Sequence, residues 1–200
     1  MPTPGRATAR PGFFGPDLPS GAHYREAFID ESEEHVLLDA IRGVAFSDFE
    51  MRGVVARRRV AFFGQSYDRA AAGPIPEFLE PVRHRMAEWA GLEAGAFGMA
   101  LINEYPPGAP IGWHRDAPQY ELVGGLSLLS ECRMRFRPYR PPAAAEGAPV
   151  RRSASHELVL ARRSAYLLTG DSRSRYEHHI PPVAGLRYSI TFRTLRDRRG

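Results

Sequence analysis

Apolar positions recur at helical spacing in two N-terminal stretches, and from Phe97 onward they give way to short β-type runs. Phe28–Gly43 reads as a helix. Val36, Leu37, Ala40 and Ile41 make one apolar stripe, Asp30 or Ser32 can cap it, and Glu31, Glu33 and Glu34 sit at the positive end of its dipole. Gly43 stops it. Val54–Tyr67 sets β-branched and aromatic residues around Arg57, Arg58 and Arg59, which predicts a strand or hairpin interrupted at Gly64. After a small link over Ala70–Gly73, Pro76 opens a second helix with Phe78, Leu79, Val82, Met86 and Trp89 on one stripe and Gly91 at its end.

The later runs are Met99–Asn103, Leu126–Leu129, Cys132–Phe136, Leu158–Leu160, Ala165–Leu168 and Leu186–Leu195, with turn residues between them. Such spacing favours a sandwich or barrel. Pro138–Arg152 reads as a loop between two of these strands, and there is no internal repeat. The pattern predicts a single α+β domain, mainly β: two helices, then a β core.

Composition narrows this picture. At 200 residues and 22.3 kDa the chain is the size of one ordinary domain. Its 43% apolar and 25% charged residues exclude wholesale disorder. No apolar stretch approaches the roughly 18–20 residues of a membrane helix. A single cysteine, Cys132, excludes an internal disulfide or a cysteine-rich zinc site. With 19 glycines and 18 prolines the chain has many turns and is no helical bundle. Residues 1–20, rich in Pro and Gly, read as a loosely held arm without a secretory signal, which places the protein in the cytoplasm. Net charge is +4, and every basic residue is arginine. That surface either suits phosphate or carboxylate recognition, because the guanidinium fork binds both bidentately, or reflects the base composition of the gene.

Candidate chemistry gathers in the β region. His114 and Asp116 stand two apart on an extended segment and so share a face. Alone they read equally as a surface histidine beside a salt-bridged carboxylate. A second histidine on a distant segment, in Glu177-His178-His179-Ile180, changes that. Two His and one carboxylate leave open positions of the kind non-haem Fe(II) oxygenases use, whereas structural zinc sites are closed with four ligands. In the last run Arg187, Ser189, Thr191 and Arg193 share one strand face while Tyr188, Ile190 and Phe192 share the other. The two arginines lie about 20 Å apart along the strand and can grip a short dicarboxylate only by leaning together.

Together these residues resemble the AlkB family of Fe(II)/2-oxoglutarate dioxygenases. The matching pieces are Asn103-x-Tyr105, the PPGAPIGW turn, His114-x-Asp116, His178-x-Ile180 and the arginine pair of Arg187-Tyr-Ser-Ile-Thr-Phe-Arg193, in order over residues 50–195. The resemblance implies a double-stranded β-helix (jelly roll) with N-terminal helices packed outside and a nucleotide-recognition lid, the lid and helix over 50–96 and the catalytic core over 97–195. It implies Fe(II) on His114, Asp116 and His178, with 2-oxoglutarate and O₂ as cosubstrates. Tyr105, Arg187 and Ser189 would hold the distal carboxylate of 2-oxoglutarate, Asn103 and Arg193 would lie near its chelating end, and Thr191 would line the same pocket. The family's His-x-Ile pattern selects His178 over His179.

The activity implied is oxidative dealkylation of N-alkylated bases in DNA or RNA by a monomer with no membrane partner. The alkyl carbon is hydroxylated while 2-oxoglutarate becomes succinate and CO₂, and the hemiaminal collapses to an aldehyde and the restored base. The same iron chemistry on a protein or small molecule, or a silent nucleic-acid-binding module, are the alternatives. Arg57, Arg58, Arg59, Phe62, Phe63 and Tyr67 interleave charge and aromatics where the family places its lid, which suits an extruded base and its phosphates. They read equally as a half-buried strand with solvated arginines. Trp113 either walls the pocket or packs in the core, Arg115 faces away from its neighbours, and Arg133, Arg135 and Arg137 either track a backbone or solvate a sheet edge. One departure stands out: family members that read a damaged base often carry an acid two positions after the metal Asp, and here that position is Pro118.

Overall fold

In a computed structural model, the residues described are 17–51, 54–65, 73–141 and 155–196. The strands are β1 (Ala22–Arg25), β2 (Ser47–Met51), β3 (Val54–Gly64), β4 (Phe97–Tyr105), β5 (Ile111–His114), β6 (Tyr120–Leu128), β7 (Cys132–Pro138), β8 (His156–Leu160), β9 (Ala165–Leu168), β10 (Tyr176–Ile180) and β11 (Arg187–Leu195). The helices are α1 (Glu31–Ile41), α2 (Glu80–Trp89, entered through a 3₁₀ turn at Glu77–Leu79) and the short α3 (Gly170–Ser174). Seven strands form one antiparallel sheet in the order β1-β9-β6-β11-β4-β3-β2, and four form a second in the order β5-β10-β7-β8. This is the jelly roll expected.

Strand alternation decides what lies on each side of the large sheet. From β4 and β11, Ala100, Ile102, Ile190 and Phe192 point outward and bury Leu37, Ile41, Val82 and Met86 of the two helices. Met99, Leu101, Asn103 and Tyr105, with Arg187, Ser189, Thr191 and Arg193, point inward between the sheets. Part of that interior is apolar, where Val123, Met134, Phe136, Leu158 and Ile180 meet. The rest is a cavity. Helix α2 presses close on the sheet because Gly124 has no side chain: a Cβ there would lie 2.7 Å from Met86 Cγ.

Asp30 caps α1 in a reciprocal capping box with Glu33. The apolar stripe of that helix is rotated from the expected one. Val36 is exposed and Glu34 is fully buried, accepting from the Leu129 backbone N–H at 2.8 Å and from Arg162 Nε at 2.7 Å. A buried carboxylate thus ties α1 to two strand ends, and nothing in helical periodicity announces that.

β1, β2, β5, β10 and α3 were not expected from the sequence. β1 and β5 are four-residue edge strands, too short for a pattern, and β10 (YEHHI) is polar because its inward histidine serves the cavity. β3 runs unbroken to Gly64, which ends it at φ 81 rather than interrupting it. Of the arm expected over 1–20, residues 1–16 lie outside the described residues, and its end belongs to the fold: Pro19 is buried and Leu18 packs against the small-sheet core. Most of the 138–152 loop also falls outside them.

Candidate active site

His114 ends β5 and His178 lies directly opposite it on β10, their rings 4.2 Å apart. Asp116 follows two residues after His114. One ligand atom from each of the three falls within 4.8 Å of the others. The Nδ1 of His114 lies 2.9 Å from the Gly112 carbonyl oxygen, which fixes that nitrogen as the N–H and leaves Nε2 for a metal.

The site's electrostatics favour ligand forms. Burial, reinforced by the neighbouring His114, pulls His178 down to about 3, and burial likewise lowers His114, so both imidazoles are neutral with a free lone pair. Burial alone would raise the Asp116 carboxyl. The Arg193 guanidinium, by charge and hydrogen bond, outweighs it and holds Asp116 well below the usual carboxylate range. With His178 neutral, the 3.7 Å between its Nε2 and Asp116 Oδ2 is no ion pair but two donors facing one space. Arg173 braces the segment after Asp116, donating through Nη2 to the carbonyls of Ala117 and Tyr120.

The cavity above these residues has a volume of about 350 Å³. At its deep end lies Arg187, only 1% exposed, with Nε donating to Ser127 Oγ at 3.2 Å and its Cζ 5.1 Å from the Tyr105 ring centroid. Its Nη1 is buried and has no hydrogen-bond partner among the described residues. A buried guanidinium N–H left open beside Tyr105 and Ser189 fits one carboxylate of a small diacid. Asn103 Nδ2 lies 3.4 Å from Ser189 Oγ in the same wall. Arg193 donates from Nε and Nη2 to Asp116 and from Nη1 to Thr191 Oγ1 at 3.0 Å. The two arginines of β11 therefore stand apart, one on the diacid pocket and one on the candidate metal carboxylate. Two neutral imidazoles, a carboxylate with a free oxygen and an unsatisfied guanidinium fit Fe(II) with 2-oxoglutarate.

The substrate-side expectations divide. Arg58 is inward and buried, its Nε 3.3 Å from Asn103 Oδ1 and its Cζ 4.3 Å from the Phe49 ring centroid. Phe62 lines the cavity as well. Arg59 does not: strand alternation turns it to the helix-bearing face, where its Nη2 meets both oxygens of Glu104 at 2.8 and 2.9 Å. Phe63 packs on that face too. Arg57 is exposed, with Nη1 3.4 Å from the Gly108 carbonyl, and Tyr67 lies outside the described residues. Trp113 neither walls the pocket nor packs in the core. It stacks on His179 at 4.9 Å on the outer face of the small sheet, beneath Arg137 at 4.3 Å. That contact also turns His179 away from the metal residues. Arg115 is bound outward, to the Ser174 carbonyl at 2.9 Å and over Tyr139 at 3.5 Å. Arg133 and Arg135 pair with Glu157, and Arg137 with Glu177.

Tyr166 was not foreseen. Its ring lies across β6 into the cavity, where a Cβ on Gly125 would come within 2.3 Å of its Cζ. Burial raises its hydroxyl further, keeping it a neutral donor. The Gly124-Gly125 pair was the available signal, since adjacent glycines inside a strand mark close approach of other groups.

Comparison with known proteins agrees with this geometry. Residues 53–193 match the family described as the 2OG-Fe(II) oxygenase superfamily. The chain is 27% identical over 174 residues to an Arabidopsis thaliana protein named "Alkylated DNA repair protein ALKBH8 homolog", covering 77% of this chain and 49% of that one. It is 28% identical over 178 residues to the Mus musculus "tRNA (carboxymethyluridine(34)-5-O)-methyltransferase ALKBH8", covering 82% and 25%. It is 26% identical over 173 residues to the Danio rerio "Probable RNA/DNA demethylase ALKBH6", covering 84% and 72%. The chain thus spans about half and a quarter of the two ALKBH8 relatives. Among solved structures, OsALKBH1 superposes with a TM-score of 0.64 at 14% identity, covering 88% of this chain and 99% of that one. A Pseudomonas putida prolyl-4-hydroxylase gives 0.58 at 14%, covering 88% and 94%, so the fold alone spans more than one substrate class.

Proposed function

The chain belongs to the 2OG-Fe(II) oxygenase superfamily, and from that premise we propose that it oxidatively removes alkyl groups from nitrogen atoms of nucleobases in DNA or RNA. It is a dioxygenase that takes Fe(II), 2-oxoglutarate and O₂. When bound, the iron with its two cosubstrates supplies a two-electron oxidant for a C–H bond as 2-oxoglutarate is decarboxylated to succinate.

The chain's own residues orient and enclose. His114, Asp116 and His178 would hold the metal through Nε2 atoms and Asp116 Oδ2, and Arg193 keeps the carboxylate ionised and directed. Arg187, with Tyr105 and Ser189, would take the distal carboxylate of 2-oxoglutarate. Val123, Met134 and Ile180 border the cavity and exclude water. Hydroxylation of the carbon on nitrogen gives a hemiaminal, whose collapse to an aldehyde needs no further catalyst group.

One observation carries the nucleic-acid reading. The cavity is bordered by Phe49, Arg58 and Phe62 of the β2–β3 hairpin, with the two phenylalanine rings 6.5 Å apart. Aromatic faces beside a cation suit an unstacked base. The relatives' names point the same way. The test is aldehyde release and 2-oxoglutarate turnover with a panel of alkylated oligonucleotides. Stimulation by at least one supports the reading; turnover with none moves the substrate to a protein or small molecule.

A further inference from the structure

The charges around the cavity narrow the class of base. Among the described residues, four guanidiniums border it, from Arg58, Arg115, Arg187 and Arg193, against one carboxylate, Asp116. Asp116 is matched by Arg193, and Arg115 is held outward by the Ser174 carbonyl. Arg187 sits at the deep end with the diacid pocket. Arg58 remains. It is 8% exposed, lies against Phe49 on the substrate side, and among the described residues forms no ion pair. Among the described residues its one hydrogen bond is from Nε to Asn103, and its side chain lines the cavity wall.

Loading the site leaves this excess in place, because Fe(II) and the 2-oxoglutarate dianion cancel. No carboxylate follows Asp116 either: Ala117, Pro118 and Gln119 occupy the next positions. A guanidinium has five donors and no acceptor. A cationic ring placed against Arg58 would therefore meet like charge, and the guanidinium could accept none of its N–H groups.

Resting on the dealkylation reading, we infer that Arg58 selects a neutral base whose alkylated nitrogen is flanked by carbonyl oxygen, as in 3-methylthymine, over the cationic 1-methyladenine and 3-methylcytosine. Arg58 donates to the carbonyl oxygen while Phe49 and Phe62 border the ring. The chemistry balances with the established cosubstrates. One atom of O₂ enters succinate as 2-oxoglutarate loses CO₂, and the other enters the methyl C–H bond. The N–CH₂OH group then leaves as formaldehyde, and its hydroxyl proton returns to the ring nitrogen.

The experiment compares single-stranded oligonucleotides of one sequence carrying 3-methylthymine, 1-methyladenine or 3-methylcytosine, in the wild type and in Arg58→Gln. Formaldehyde release gives kcat/KM, fluorescence anisotropy with Mn(II) in place of iron gives oligonucleotide affinity, and calorimetry with Mn(II) gives 2-oxoglutarate affinity. The expected result is a preference for 3-methylthymine that Arg58→Gln lowers by roughly ten- to hundredfold, the effect of one charge-assisted hydrogen bond. Turnover of the cationic lesions in preference to 3-methylthymine overturns this inference and leaves the dealkylation reading standing. A loss of 2-oxoglutarate affinity in Arg58→Gln as large as the lesion effect assigns Arg58 to the cosubstrate and also overturns it. No turnover of any lesion removes both readings.

Discussion

Arg193 donates twice to a single oxygen of Asp116, from Nε at 3.0 Å and Nη2 at 2.8 Å, and leaves the other oxygen turned toward His178. The arginine expected near the chelating end of 2-oxoglutarate orients a candidate metal ligand and still lines the cavity. Replacing it by methionine should weaken Fe(II) binding about 10- to 100-fold, as loss of a partner behind a metal ligand typically does. Anaerobic metal titration measures this. Unchanged metal affinity, with only 2-oxoglutarate binding reduced, would restore the direct cosubstrate role.

The two adjacent histidines should behave oppositely. His178→Ala removes an inward candidate ligand and should abolish 2-oxoglutarate turnover. His179→Ala removes a ring stacked on Trp113 at the surface. It should cost at most about 1 kcal/mol of stability and leave turnover measurable. Paired turnover and thermal-melt measurements on both variants separate the roles, and a reversed result reassigns the metal histidine.

Arg187→Ala should raise the KM for 2-oxoglutarate while leaving metal affinity near that of the parent. Losing one member of a buried charged pair typically costs about 2–5 kcal/mol. Arg187→Lys should rescue little, since the lysine point charge replaces a fork that reaches Ser127 and the open Nη1 direction at once. Equal 2-oxoglutarate affinity in Arg187→Ala would empty that end of the pocket of its assigned guest.

Gly125 and Tyr166 should be coupled. In Gly125→Ala the new Cβ displaces the Tyr166 ring, so 2-oxoglutarate affinity should fall. Tyr166→Leu in the Gly125→Ala background should recover part of that loss. The interaction energy of the double-mutant cycle is expected at about 0.5–3 kcal/mol. Additive effects would mean the ring does not set the cavity's shape.

Glu34 lies far from the chemistry but holds α1 to the sheets. Glu34→Ala leaves the Leu129 N–H and the Arg162 guanidinium without their acceptor, at a cost of about 3 kcal/mol. Urea unfolding should show the loss, while KM for 2-oxoglutarate in the folded protein stays put.

The chain order of polar residues was enough to place the chemistry in the jelly roll's last strands. Period-two alternation in 187–193 puts Arg187, Ser189, Thr191 and Arg193 on one face, because successive strand side chains point oppositely whatever the sheet around them. The same rule separates Arg58 from Arg57 and Arg59, but a run of three arginines gives no hint of which parity faces inward. The strand partners settle it: Arg59 sits opposite Glu104, and the ion pair lies on the helix side.

Helix α1 and helix α2 were legible because an apolar stripe must be buried against something, and a stripe is a local property of sequence. The burial of Glu34 was not, since its three partners come from residues about a hundred positions away. Likewise the sequence by itself determined which side chains could ligate iron and which strand could hold a diacid. Only the tertiary structure decided that Arg193 serves Asp116, that Trp113 lies outside the cavity, that Tyr166 enters it over Gly125, and that Arg58 lines it with no ion-pair partner among the described residues. The physical reason is that a side chain's role depends on its nearest opposite charge and nearest bulk. In this fold those neighbours come from strands adjacent in the sheet and distant in the chain.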